Sequence, residues 1–163
     1  MNMDELKASL DELSLKMTDK TSSQLADELN NLVESSGKKF RPGLLFLTGS
    51  LLGLDIKGLT PFARAVELTH LASLIHDDVI DGSDTRRGKP AIHKHFEKLH
   101  SKESAVGSSV GFGQAAAILL GDLALVYSDL ALHQSGIKAN LLPQVLAVHD
   151  EMRVELMAGQ FLD

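Results

Sequence analysis

Cysteine is absent from the 163 residues, tryptophan is absent too, and there is one tyrosine and only four prolines. Without cysteine there is no disulfide framework, no thiolate metal site and no cysteine nucleophile. That fits a reducing, cytoplasmic compartment. Scarce proline and few aromatics, beside abundant leucine and alanine, leave helix as the expected dominant element. Positive charge is also short: 16 Lys and Arg face 22 Asp and Glu, a formal net charge of −6. A non-specific nucleic-acid binder needs a net basic face, so none is expected here. No long apolar run stands out either. The richest, Ala115 to Val126, is interrupted by Gly121 and Asp122 and falls short of the ~20 residues that span a bilayer. The start, Met-Asn-Met-Asp-Glu-Leu-Lys, lacks the apolar segment of a signal peptide.

What is present is a succession of helical patterns. Leu6, Leu10, Leu13 and Met17 form one apolar stripe, and Leu25, Leu29, Leu32 and Val33 form a second. Thr21 and Gln24 have capping-box spacing before the second helix, and Gly37 suits its end. Arg41-Pro42 opens a third, running to Leu52-Gly53. A long helix is expected from about Leu59 to Asp81, apolar nearly all round and therefore buried in a bundle. Gly82 to Pro90 reads as a polar loop, Ile92 to His100 as a short helix, and Ser101 to Gly113 as a mobile Gly/Ser-rich connection. Gln114 to His133 is a second buried helix ended by Gly136. Asn140 caps a last one with Pro143 in its first turn. No segment shows strand periodicity.

The Leu59 to Asp81 helix carries the chemistry. At ~100° per residue, His70, Asp77 and Asp81 share a stripe, with Glu67 at its edge and Asp78 beside it. Carboxylates in a last helical turn oppose the helix dipole by about 0.3–1 kcal/mol each and repel one another. Asp77 and Asp81, one turn apart, can offer oxygens to a hard cation such as Mg²⁺. A solvated helix end is the competing reading of Asp-Asp-x-x-Asp alone. Arg86 and Arg87 weigh against it, because guanidinium forks beside metal carboxylates are the parts that hold a diphosphate. Upstream, Lys38 and Arg41 flank a helix N-terminus, itself a favourable place for an anion. His93 and His95 are expected at loop or helix edges, and Asp122 as a packing residue.

These residues, in order, resemble a family. Gly37-Lys38-x-x-Arg41-Pro42, His70, His76-Asp77-Asp78-Val79-Ile80-Asp81 and Asp84-Thr85-Arg86-Arg87-Gly88-Lys89-Pro90 are similar to the N-terminal half of the trans-polyprenyl diphosphate synthases. Gly121-Asp122 and Gly159-Gln160-Phe161-Leu162-Asp163 continue the likeness, and the set resembles the geranylgeranyl diphosphate synthases. The resemblance implies an all-α bundle of the isoprenoid synthase type, and a Mg²⁺-dependent prenyltransferase joining isopentenyl diphosphate to an allylic diphosphate. By it, Asp77 and Asp81 bind Mg²⁺ with Asp78 in support, and Arg86 contacts the allylic diphosphate, with Gln160 and Asp163 on the allylic side. Lys38, Arg41, His70 and Arg87 bind isopentenyl diphosphate. Asp77, Asp81 and Arg86 form the catalytic set. Ala72 and Ser73, small residues one turn before Asp77, imply a product of geranylgeranyl length or longer. The family's dimers imply a homodimer.

Its second Asp-rich motif has no counterpart here. The chain therefore reads as the N-terminal part of one synthase domain, 1–163, cut in mid-fold and inactive alone. The alternative is a non-catalytic partner subunit of a heteromeric synthase.

Overall fold

The computed structural model describes residues 23–35 and 37–163. The expected Leu6 to Met17 helix and the Thr21 cap lie outside them. Six helices follow in order: α1 Ser23–Ser35, α2 Phe40–Leu51, α3 Thr60–Ile80, α4 Ile92–Lys102, α5 Ser109–His133 and α6 Leu142–Leu162. A single 3-10 turn, Lys57–Leu59, leads into α3. Between α3 and α4 lies a small antiparallel ribbon, β1 Thr85–Arg86 paired with β2 Lys89–Pro90. The fold is all-α, as its sequence leads one to expect.

α3 and α5 form the centre. Leu68, Leu71, Ala72 and Ile75 of α3 meet Ala117, Leu120, Ala124 and Tyr127 of α5, with Leu29 and Val33 of α1 and Phe96 of α4 closing the core. Small side chains recur along the inner side of α5, which lets neighbouring helices come close. At Gly121 a β-carbon would lie 2.2 Å from Nε2 of His76, so this glycine makes room for the imidazole of α3. That ring meets Ile118 O at 3.2 Å and Asp122 Oδ1 at 3.5 Å, fixing the helix one residue before Asp77. Gly113 makes a similarly close approach, against the α4 backbone, where a β-carbon would lie 2.3 Å from His93 O.

A buried polar cluster ties α6 to the centre. Ser128 Oγ donates to Ala65 O at 2.9 Å and lies 3.0 Å from Thr69 Oγ1 and 3.1 Å from His149 Nε2. With the serine proton committed to Ala65, the other two groups are its natural donors, which fills both lone pairs of the serine oxygen.

Four expectations are corrected. Ser109 to Gly113 is helix rather than mobile loop: Ser108 caps α5 by accepting the N–H of Gly111 at 3.1 Å, a cap hidden in a Gly/Ser-rich stretch. Asn140 does not cap α6, whose N-cap is Leu141 without a side-chain bond. The Gly82 to Pro90 loop contains the two-stranded ribbon, too short to show a period-2 pattern. His93 is buried on α4 rather than at an edge. The added first turn gives α5 25 residues, long and apolar enough to cross a bilayer by length and composition. Here that helix lies against α3 and α4, with Ala117, Leu120, Ala124 and Ser128 wholly enclosed.

Candidate active site

The site grows from the C-terminal end of α3. Asp77 and Asp78 lie in the last turn, and Asp81 follows as C-cap, its N–H bonded to Asp77 O at 2.9 Å. Gly82, at φ +63°, turns the chain out of the helix. The ribbon then folds back through a two-residue loop, Arg87-Gly88, with φ of +52° and +77°. Two positive φ values in succession are what a right-twisted two-residue hairpin needs.

The return places Arg86 on the α3 carboxylates. Its Nε donates to Asp78 Oδ2 at 2.8 Å and its Nη2 to Asp77 Oδ2 at 2.6 Å. The bond to Asp78 pushes the Arg86 pKa further up, against the opposing effect of burial. Asp78 itself is deeply buried, while Asp77 is about one-third exposed and Asp81 open to solvent.

Beside these groups opens a cavity of about 640 Å³. Lys38, Arg41, His70 and Arg87 all line it, together with Arg86 and Asp78. Gly37 lets the basic segments converge: at φ +34° it ends the turn after α1, and a β-carbon there would stand 2.5 Å from Arg87 Nη1. Lys39, the N-cap of α2, has left-handed backbone (φ +46°, ψ +45°) and also lines the cavity. Sequence reasoning missed Lys39 and Lys89, and the apolar wall of Leu71, Leu74 and Ile75. The wall had a signal, since those residues follow His70 on the same side of α3 at helical spacing.

His70 is held near pKa 4, well below its usual 6.5, first by burial and then by the positive charges of Arg41, Arg87 and Arg86. It is therefore neutral at physiological pH, able to hydrogen-bond an anion without adding charge. Its folded pKa lies below the unfolded value. Its contribution to stability is therefore complete above pH 6.5 and lost as pH falls through about 4, where the unfolded chain binds the proton more readily. Burial and Arg153 lower His149 in the same sense. Thermal melts from pH 7.5 to 5 should show a falling Tm, with a shallower fall in His70→Asn; parallel curves would assign the acid sensitivity elsewhere.

Other candidate residues do not meet at the cavity. Asp77 and Asp81 are outside its lining, and no group of three ligating side chains close enough for a metal occurs among the described residues. Ala72 is packed in the core, and Ser73, half-buried, donates from Oγ to His70 O at 2.8 Å. Gln160 is half-buried and Asp163 exposed at the end of α6, neither on the cavity.

Comparisons with known proteins give the family. The polyprenyl synthetase family profile matches residues 22–163. The chain belongs to the polyprenyl synthetase family. It is 33% identical over 147 residues to a short chain isoprenyl diphosphate synthase of Methanothermobacter thermautotrophicus, covering 90% of this chain and 40% of that protein. A geranylgeranyl diphosphate synthase of Mycobacterium tuberculosis is 35% identical over 136 residues, covering 79% of this chain and 32% of the other. Among solved structures, the geranylgeranyl pyrophosphate synthase of Corynebacterium glutamicum, complexed with isoprenyl diphosphate and magnesium, superposes with a TM-score of 0.79 at 33% identity. The match covers 98% of this chain and 47% of that one, so this polyprenyl synthetase chain spans less than half the length of these relatives.

Proposed function

We propose that this chain contributes the isopentenyl diphosphate site and the first metal-binding carboxylates of a magnesium-dependent prenyltransferase. The observation that carries the reading is the convergence of Lys38, Arg41, His70 and Arg87 on one cavity whose other wall is apolar. Such a cavity suits a molecule with a diphosphate head and a short hydrocarbon tail. Three cations and a neutral imidazole hold the head, while Leu71, Leu74 and Ile75 exclude water from the tail. Asp77 and Asp81 fit magnesium by chemistry: both are oxygen donors one turn apart, Asp81 open to water and Asp77 partly exposed, and this ion takes one or two carboxylates with waters and phosphate oxygens. When bound, it neutralises charge on the departing allylic diphosphate.

In the reaction the allylic C–O bond breaks and the isopentenyl double bond forms the new C–C bond. A proton is then lost to the released diphosphate. Arg86 stabilises the negative charge on that leaving group, and the apolar wall keeps water from the reacting carbons. No side chain becomes covalently attached. Ala72 and Ser73 leave the turn below Asp77 without bulk, which supports a product of geranylgeranyl length or longer. Exposed Ile118, Leu119, Val126 and Leu130 on α5 support a homodimer.

Calorimetric titration of the chain with isopentenyl diphosphate tests the reading. Arg41→Ala and Arg87→Ala should each weaken binding about tenfold or more, as expected for a hydrogen bond between charged groups. Unchanged affinity in both variants would exclude the cavity as the diphosphate site.

A further inference from the structure

The two bonds of Arg86 divide three neighbouring carboxylates into different roles. Asp78 has a side chain only 5% exposed, against 31% for Asp77. A carboxylate so enclosed has no room for the waters that magnesium retains, and it needs a cationic partner of its own. Arg86 Nε supplies that partner at 2.8 Å. The same guanidinium takes Asp77 Oδ2 at 2.6 Å, on the more open carboxylate. It also lines the cavity that holds Arg41 and Arg87, so it faces the diphosphate side as well. A guanidinium has five N–H donors, and these two bonds occupy two of them. Arg86 rides on a ribbon of two residue pairs whose surroundings are mostly exposed, so a small shift disturbs little packing.

We propose that Arg86 is the resident counter-ion of Asp77 and Asp78, and that it yields Asp77 to the metal and turns to the diphosphate while staying anchored on Asp78. Asp78 is then a positioning residue, not a metal ligand. The inference rests on Asp77 and Asp81 being the metal pair. It makes metal and Arg86 competitors for one carboxylate oxygen until a diphosphate arrives to engage both. Metal alone binds weakly, diphosphate alone binds weakly, and each strengthens the other.

Manganese(II) replaces magnesium for the test, with free ion counted by electron paramagnetic resonance, with and without inorganic diphosphate. Arg86→Gln should bind manganese about fivefold more tightly than wild type without diphosphate, a figure reduced from a fully buried pair because both groups are partly exposed. It should lose most of the gain that diphosphate brings. Asp78→Asn should keep manganese affinity within about twofold, since it leaves the metal pair intact, yet show a reduced diphosphate gain. Asp81→Asn should lose metal binding.

If Asp81→Asn binds as wild type does, the metal pair is misassigned and the proposal falls with it. If Asp81→Asn loses the metal but Arg86→Gln gains none, only the exchange of partners is wrong. Asp78→Asn losing metal as fully as Asp81→Asn would make Asp78 a ligand. Should that variant not fold, the Arg86 Nε–H resonance of wild type decides. It should remain hydrogen-bonded when magnesium and inorganic diphosphate are added, and its loss would overturn the anchor.

Discussion

Gly113→Ala should cost about 3 kcal/mol or more and lower the melting temperature by roughly 6–12 °C. A β-carbon at this position would stand 2.3 Å from His93 O and 3.0 Å from Glu97 N, both backbone atoms of α4. Backbone on both sides leaves no side chain to rotate away, so α4 and α5 must separate. Separation would open the aromatic seam beside them, where Phe112 packs edge-on against Phe96 at 6.5 Å and over His100 at 4.9 Å. Gly159→Ala is the control, because nothing lies within 4 Å of a β-carbon there. That helical substitution should be neutral or stabilising by up to about 1 kcal/mol. Denaturation followed by circular dichroism measures both. Equal melting curves for Gly113→Ala and wild type would mean that the two helices are not held at this distance.

On the proposed function, and in a synthase that carries this chain as its N-terminal half, Ser73→Phe should shorten the product from geranylgeranyl diphosphate or longer to farnesyl diphosphate or shorter. Ser73 is one turn, ~5.4 Å, before Asp77 on α3. It is half-buried, and its hydroxyl is spent on His70 O. On that reading phenylalanine would put an aromatic ring into the turn below Asp77, a place outside the lining of the cavity beside His70. Ala72 is the poorer place for the same test, since it is fully packed against α1, α4 and α5 and a larger side chain there would damage the core. Chromatography of reaction products reads the result. A wild type that already stops at farnesyl diphosphate, with no change in the variant, would remove Ser73 from control of length.

The helices that hold these residues were legible because apolar spacing alone marks a buried helix. α3 matches the expected Leu59 to Asp81 within a residue at each end. α5 does not begin where expected, because Ser108 to Gly113 has the composition of a loop. Its glycines answer to close helix contact rather than to turning, which no local pattern reveals. The cavity residues Lys38, Arg41, His70 and Arg87 come from three separated segments, and the ordered motifs identified them together. What spacing could not tell was which neighbour each carboxylate meets. A helical projection puts Asp77 and Asp81 on one stripe with Asp78 beside it, but does not say which of them is buried or paired. A ribbon eight residues later buries one, pairs two with Arg86 and leaves the third in water.

The left-handed backbone at Lys39 and Arg87 has a consequence for how such a chain adapts to heat. A side chain other than glycine or asparagine in that conformation costs roughly 1–2 kcal/mol. Asparagine at either position would keep the turn with less strain, and would remove a cation from the cavity rim. Stability and anion recognition therefore pull these two positions in opposite directions. Selection for thermal tolerance alone would replace both, so their retention in a heat-adapted variant would mark the rim as a site still under use.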